Sequence, residues 1–131
     1  AALAGAYGAP VILVTGDRAV TEEAHALLGE IEMVAVKDGV TRSAARCLHP
    51  EVAHQRIRQA AERAMRLAVQ PFVVPSPITL QVVFQRAGHA DMAALVPGSQ
   101  RMDGRTVEWT GEDMPTVYKV FRAMGALSTL G

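Results

Sequence analysis

The sequence has a single cysteine and no excess of either charge. Cys47 stands alone and cannot form an internal disulfide, which favours a reducing compartment, so we expect a cytoplasmic protein. Thirteen basic residues balance thirteen acidic ones. Nucleic acids and anionic membrane surfaces attract proteins with a positive excess. We therefore expect neither nucleic acid nor a membrane as a partner.

Long apolar runs, nucleophile motifs and phosphate-binding loops are also missing. The longest apolar runs, at residues 11–14 and 31–36, are far too short to span a bilayer. Ser43 and Ser76 lack the flanking glycines of a nucleophile elbow, and no glycine-rich segment is typical of a phosphate loop. The sequence shows no base near Cys47 that would activate it as a nucleophile, so we predict a buried structural thiol.

The four histidines do not predict a metal site. A zinc-protease helix carries two histidines four residues apart, so that both face one ion. His49 and His54 are five residues apart, which is about 500° around a helix and places them on different faces. His25 and His89 stand alone. We therefore expect no metal ligands among the residues of this chain.

The apolar pattern predicts the α/β class, with a mostly parallel, layered sheet flanked by helices. Residues 11–14 and 31–36 are unbroken apolar runs, typical of strands covered on both faces. A helix at residues 22–28, capped by Thr21 and ended by Gly29, completes a parallel strand–helix–strand unit. The later predicted elements are a short helix around 41–47, a long helix at 50–68, a strand at 78–84, a short helix at 90–95, a strand at 105–110 and a helix at 113–127. The last helix is predicted to bury Met114, Val117, Tyr118, Phe121 and Met124.

Three prolines within residues 71–77 mark the predicted internal boundary. We expect residues 1–70 to contain the strand–helix–strand unit and the long helix, and residues 71–131 to form a smaller α/β segment. The first seven residues, AALAGAY, are typical of the middle of a helix. We therefore expect further chain upstream of residue 1.

Polar side chains follow the first two predicted strands where each strand ends. The first strand leads to Asp17, and the second leads to Lys37, with Arg42 and Arg46 soon after. Ligands of open α/β sheets gather at the carboxyl ends of the strands, so these four are candidate substrate-pocket residues. Asp17 could orient a catalytic base, hold a substrate amine or pair with a cation. It could also only cap the following helix or pair with Lys37 or Arg42. The three cations could bind a peptide carboxylate, with both arginines on one helix face, or only be solvated.

Short motifs along almost the whole chain resemble the zinc-dependent D-aminopeptidases of the DppA type. They are AALAG at 1–5 leading into PVILVTGD at 10–17, VAVK at 34–37, TRSAARCL at 41–48 with Pro50, PG at 97–98, DG at 103–104, TV at 106–107, and DM at 113–114 with Tyr118 and Met124. In one place the chain departs from the family, where a second acidic residue often follows the Asp17 position. Arg18 stands there instead, which argues against a carboxylate pair at this turn.

The resemblance implies an enzyme that hydrolyses peptides with an N-terminal D-amino acid and assembles into a ring-shaped homo-oligomer. It also implies two zinc ions, which together activate a bridging water and polarise the scissile carbonyl. In the family the zinc ligands lie in the first half of the protein, so this chain corresponds to the C-terminal part. It is then expected to be inactive without its N-terminal half, and no ligand is assigned to it.

The alternative is a non-catalytic α/β module for assembly or for binding a small anion. The two interpretations differ in the apolar surface they predict. A partial or obligately oligomeric protein exposes a substantial apolar patch, whereas a free-standing module exposes little.

Overall fold

The proline-rich segment at residues 71–77 lies where the chain divides into two units. The computed structural model describes all 131 residues. Unit 1 comprises Ala1 and Leu3–Phe72, and unit 2 comprises Ala2 and Val73–Gly131. Each unit contains its own three-stranded sheet.

Unit 1 is built around a mixed sheet. Its elements are α1 (Ala2–Ala6), β1 (Leu13–Asp17), α2 (Arg18–Leu28), β2 (Glu32–Thr41), β3 (Ala44–Cys47) and α3 (Pro50–Ala64). The sheet order is β1-β2-β3, with β1 parallel to β2 and β3 antiparallel to β2. Since β1 is an edge strand, its apolar residues are half-buried rather than covered on all sides.

The helices α2 and α3 lie on opposite faces of this sheet. Side chains alternate between the two faces along a strand. Glu32 of β2 accepts two hydrogen bonds from Arg63 of α3, at 2.9 and 2.7 Å, whereas the next residue, Met33, lines a cavity against α2. Ala60 and Ala64 of α3 are fully buried, and their small side chains let this helix pack closely.

Unit 2 packs two helices on an antiparallel sheet. Its elements are β4 (Ile78–Val83), α4 (Ala87–Ala93), β5 (Gln100–Arg101), β6 (Thr106–Gly111) and α5 (Met114–Ser128), and the strand order is β4-β6-β5. The largest fully buried side chains of the protein are Met124, Val107 and Val117, so the best-packed core lies in this unit.

The prediction of a mostly parallel sheet is wrong. Only β1 and β2 are parallel, and the other three strand pairings are antiparallel. A parallel pair needs a long crossover, which α2 provides between β1 and β2. The connections from β2 to β3 and from β5 to β6 are only short turns, and short turns reverse the chain direction.

The predicted short helix around residues 41–47 is also wrong. This segment forms the turn and the second strand of a hairpin, in which Lys37 pairs with Cys47 and Thr41 with Ala44. All four residues of β3 are exposed, because this strand lies at the sheet edge. Cys47 is therefore an exposed thiol and not the buried one predicted.

The helix α2 begins at Arg18, earlier than the predicted residue 22. Asp17 caps it, and Thr21 lies in its first turn, where its hydroxyl donates to the Arg18 carbonyl oxygen at 2.7 Å. The helix α3 ends at Ala64, short of the predicted residue 68. The strand β5 was not predicted, and β2 continues five residues past the predicted strand, to Thr41. The remaining predicted elements lie within a few residues of their expected positions. No helix in either unit has the length and apolar character needed to cross a membrane.

The core face of α5 is narrower than the sequence pattern predicts. Val117 and Met124 are buried, but Tyr118 and Phe121 are 40% and 45% exposed. Their rings are tilted against each other with centroids 6.5 Å apart. Val117 and Met124 are seven residues apart and share one side of the helix, while Tyr118 and Phe121 lie toward its solvent side.

Candidate functional site

The carboxyl ends of β1 and β2 meet in a crevice of unit 1. The register places Asp17 opposite Lys37, after a shift between Gly16 and Asp17. Gly16 leaves room for the side chain of Val20, which a Cβ at position 16 would press against. This close approach lets α2 begin directly after β1 and places Asp17 at the mouth of the crevice.

Two adjoining cavities make up the crevice, and Asp17 and Gly39 line both of them. The first, which we call the acidic cavity, has a volume of about 560 Å³. Its charged lining residues are Asp17, Glu22, Asp38, Arg18 and Arg46. The second, which we call the basic cavity, has a volume of about 290 Å³. Its charged lining residues are Asp17, Lys37 and Arg42. All four residues selected from the sequence therefore line this crevice.

Asp17 is the N-cap of α2. Its Oδ1 accepts a hydrogen bond from the backbone N–H of Val20 at 2.8 Å, which satisfies one of the unpaired donors in the first turn. No ion pair joins Asp17 to Lys37 or to Arg42. The cap uses Oδ1, and Oδ2 makes no hydrogen bond within the chain.

Arg18 and Asp38, which both line the acidic cavity, form an ion pair. Arg18 donates from Nε to Oδ1 of Asp38 at 2.7 Å and from Nη2 to Oδ2 at 3.4 Å. This hydrogen bond is the main reason why the pKa of Asp38 lies below its ordinary value of 3.8, with a smaller effect from the charge of Arg46. The sequence does contain a signal for the pair. Asp17-Arg18 follows one parallel strand and Lys37-Asp38 the next, so opposite charges meet when the strands align.

Acid should weaken unit 1 through Asp38. Its pKa is lowered in the folded protein, so the unfolded chain binds the proton first as the pH falls. The contribution of Asp38 to the stability is therefore fully present above pH 3.8 and is lost as the pH drops from 3.8 toward the pKa of the folded protein. We expect Asp38→Asn to reduce the loss of unfolding free energy across this window. Urea unfolding followed by circular dichroism on both sides of pH 3.8 measures it.

Glu23→Gln provides the matched control, because Glu23 is exposed on the same unit and forms no ion pair. It should leave the slope of stability against pH unchanged. The same slope in Asp38→Asn and the unmodified protein would contradict a role for this ion pair.

The cations Lys37, Arg42 and Arg46 form no ion pairs. Lys37 and Arg46 lie on β2 and β3, and Arg42 lies in the turn of the hairpin. The expectation that Arg42 and Arg46 share a helix face is wrong, because the hairpin sends them into different cavities. Their charges therefore remain available to a ligand.

The chain does not provide a metal centre. No group of three or more His, Cys, Asp or Glu side chains is arranged so that it could hold a metal ion. Zinc needs three or four such ligands around one point. The residues of this chain do not fit a zinc ion by themselves, and no zinc-dependent step can be assigned to them.

The fold is of the mixed α/β class, with a polar crevice at the ends of its two parallel strands. The sequence profile of the D-aminopeptidase family, peptidase family M55, matches residues 1–123. The chain belongs to this family, which confirms the resemblance that its sequence motifs indicate.

Relatives of known identity agree with this assignment. The chain is 32% identical over 129 residues to a D-aminopeptidase of Bacillus subtilis strain 168, covering 96% of this chain and 47% of the relative. It also matches the solved structure of the Zn-dependent D-aminopeptidase DppA from Bacillus subtilis, described as a self-compartmentalizing protease. That match has a TM-score of 0.91 and 31% identity, and it covers 97% of this chain and 47% of the DppA chain. The chain therefore spans about half the length of the relatives it matches.

Proposed function

We propose that this chain is the C-terminal part of a zinc-dependent D-aminopeptidase, which hydrolyses peptides with an N-terminal D-amino acid in the cytoplasm. Membership of the family and the match to about half of each relative support this proposal. An N-terminal half would hold the two zinc ions, and this chain would contribute the substrate-binding residues. The crevice in unit 1 is the part of the chain that suits this role.

The distribution of charge in the crevice is the observation that carries the proposal. In the acidic cavity three carboxylates face two guanidinium groups, which leaves one negative charge in excess. Asp17 lines both cavities and is already counted in the acidic one, so Lys37 and Arg42 leave two positive charges in excess in the basic cavity. A short peptide with free ends is a zwitterion, with an ammonium group at one end and a carboxylate at the other. Its ammonium complements the acidic cavity, and its carboxylate complements the basic cavity.

Each candidate residue then has a definite role. Asp17 lies between the two cavities and receives the substrate ammonium on the oxygen that does not cap α2. Arg42 and Lys37 bind the peptide carboxylate from the basic cavity. Arg46 lies beside Asp38 and limits the negative charge of the acidic cavity.

Assembly into a ring-shaped homo-oligomer is part of the same proposal. DppA is described as self-compartmentalizing. In this chain, Tyr7 and Met65 are 74% and 78% exposed, and the outer edge of β1 has no partner strand. Exposed apolar side chains and an open sheet edge are features that partner surfaces commonly cover.

A non-catalytic module that binds a small anion is the second candidate. The three unpaired cations Lys37, Arg42 and Arg46 favour it. This candidate needs the basic cavity only, whereas the peptidase needs both cavities. The two proposals therefore differ in whether a ligand ammonium matters.

Binding of a D-alanyl dipeptide with free ends tests the proposal. We expect it to shift the backbone amide resonances of Asp17, Gly39 and Ser43 in spectra of the ¹⁵N-labelled protein. Arg42→Gln removes one charge-assisted hydrogen bond, which should weaken binding about tenfold. Arg58→Gln is the control, because Arg58 is exposed on α3 and lines neither cavity.

Two results would count against the peptidase proposal. Equal binding of the dipeptide and of its N-acetylated form would show that the ammonium plays no part and would favour the anion module. Release of D-alanine by this chain alone, with zinc added, would contradict the placement of the zinc ligands in an N-terminal half.

A further inference from the structure

The strand β2 has an open edge in its first half. Its first residues pair with β1 on one side, while β3 pairs on the other side only from Lys37 onward. The backbone N–H of Glu32 donates to the carbonyl oxygen of Ile12, so Glu32 directs its backbone groups toward β1. Backbone groups of alternate residues point to opposite edges of a strand. Met33 and Ala35 therefore direct their N–H and C=O groups to the open edge.

A polar groove runs along this edge. It has a volume of about 290 Å³, and it shares only Arg18 with the crevice at the strand ends. Its lining residues are Arg18, Met33, Val34, Ala35, Arg56, Gln59 and Arg63. Arg56, Gln59 and Arg63 lie at helical spacing along one side of α3. The groove therefore has a strand edge as one wall and a row of hydrogen-bond donors as the other.

One of the three arginines in the groove has no partner. Arg18 is paired with Asp38, and Arg63 is paired with Glu32 through two hydrogen bonds. Arg56 forms no ion pair. The groove thus carries one uncompensated positive charge, supplied by Arg56, beside the amide of Gln59.

The open edge decides which anion fits this groove. Met33 and Ala35 each offer one N–H donor and one C=O acceptor. A fully ionised oxyanion accepts hydrogen bonds but donates none, and the compact phosphate ion cannot reach along the strand to both carbonyls. An extended peptide pairs with donors and acceptors alike by adding a strand to the edge. A carboxylate side chain on that peptide complements Arg56.

We propose that the groove between β2 and α3 binds an extended peptide segment with an acidic side chain. The segment lies beside Met33 and Ala35 as a short added strand, and its carboxylate pairs with Arg56. The register with β1 shifts after Ala35, so the carbonyl oxygen of Val36 turns to the β3 side, where Leu48 donates to it at 2.9 Å. The open edge therefore ends just past Ala35. The added strand is therefore limited to a few residues.

Titration with a blocked peptide of alternating valine and glutamate tests this proposal. In spectra of the ¹⁵N-labelled protein we expect the amides of Met33 and Ala35 to shift and to become protected from solvent exchange. Arg56→Gln should weaken binding and raise the dissociation constant about tenfold. Arg58→Gln, on the same helix outside the groove, should leave it unchanged.

Three results would overturn the proposal. The first is an unchanged spectrum at Met33 and Ala35. The second is equal binding of the matched peptide with lysine in place of glutamate. The third is an equal response to inorganic phosphate, which would identify a simple anion site instead of strand addition. The D-alanyl dipeptide proposed for the crevice shifts the amides of Asp17, Gly39 and Ser43 instead. Failure of the groove proposal is therefore distinguishable from failure of the peptidase proposal.

Discussion

Replacing Met124 by alanine should lower the free energy of unfolding of unit 2 by about 2–5 kcal/mol. Met124 is fully buried in the cluster that holds Ala90, Ala93 and Val107. Two of these neighbours are alanines, whose short side chains cannot reach into a cavity left by the methionine. The loss therefore includes both the transfer of the buried side chain and the cavity that remains.

Trp109 gives a direct measurement of this effect. It is the only tryptophan of the chain, and it packs against the same core cluster, so its fluorescence follows the unfolding of unit 2 in urea. Leu130→Ala is the control, because Leu130 is 72% exposed and its truncation should change stability by less than about 0.5 kcal/mol. Similar urea midpoints for Met124→Ala and Leu130→Ala would show that the core around Met124 is not well packed.

Gly5→Ala should destabilise unit 1 by about 1–3 kcal/mol or more, because it adds a group where there is no space. Gly5 is buried in α1, and a Cβ at this position would overlap the backbone carbonyl of Phe72. A backbone group cannot move aside as the end of a flexible side chain can. Either α1 or the segment before the proline-rich connection must shift.

Gly125→Ala is the matched control for this substitution. Gly125 also lies in a helix, but a Cβ at this position meets nothing within 4 Å. The same change there should stabilise the protein by up to about 1 kcal/mol, because alanine favours helix more than glycine does. Urea unfolding followed by circular dichroism compares the two variants, since Trp109 reports on unit 2 only. A Gly5→Ala protein as stable as Gly125→Ala would contradict the close contact.

The candidate residues that line the crevice could be selected from the sequence because strand ends are marked by local chemistry. Each of the two apolar runs ends in charged residues, and parallel strands bring their ends to one edge. This reasoning selected Asp17, Lys37, Arg42 and Arg46, all of which line the crevice. It did not select Glu22, because position 22 belongs to the crevice only when α2 begins at Arg18.

The division of the crevice into acidic and basic cavities could not be predicted. A helix over residues 41–47 would place Arg42 and Arg46 on one face. In the hairpin they lie in separate cavities. Sequence spacing alone does not decide between a short helix and a hairpin, since the pairing of β3 with β2 depends on residues that lie on another strand.

The sequence by itself determined the α/β class, the family, and the positions of most helices and strands. These depend on local patterns: apolar runs, caps, prolines and the order of short motifs. The tertiary structure decided the strand directions, the exposure of Cys47, Tyr118 and Phe121, and the partner of Arg18. Each of these depends on which surfaces meet across the fold, and contacts between distant residues are set by packing rather than by neighbours in the chain.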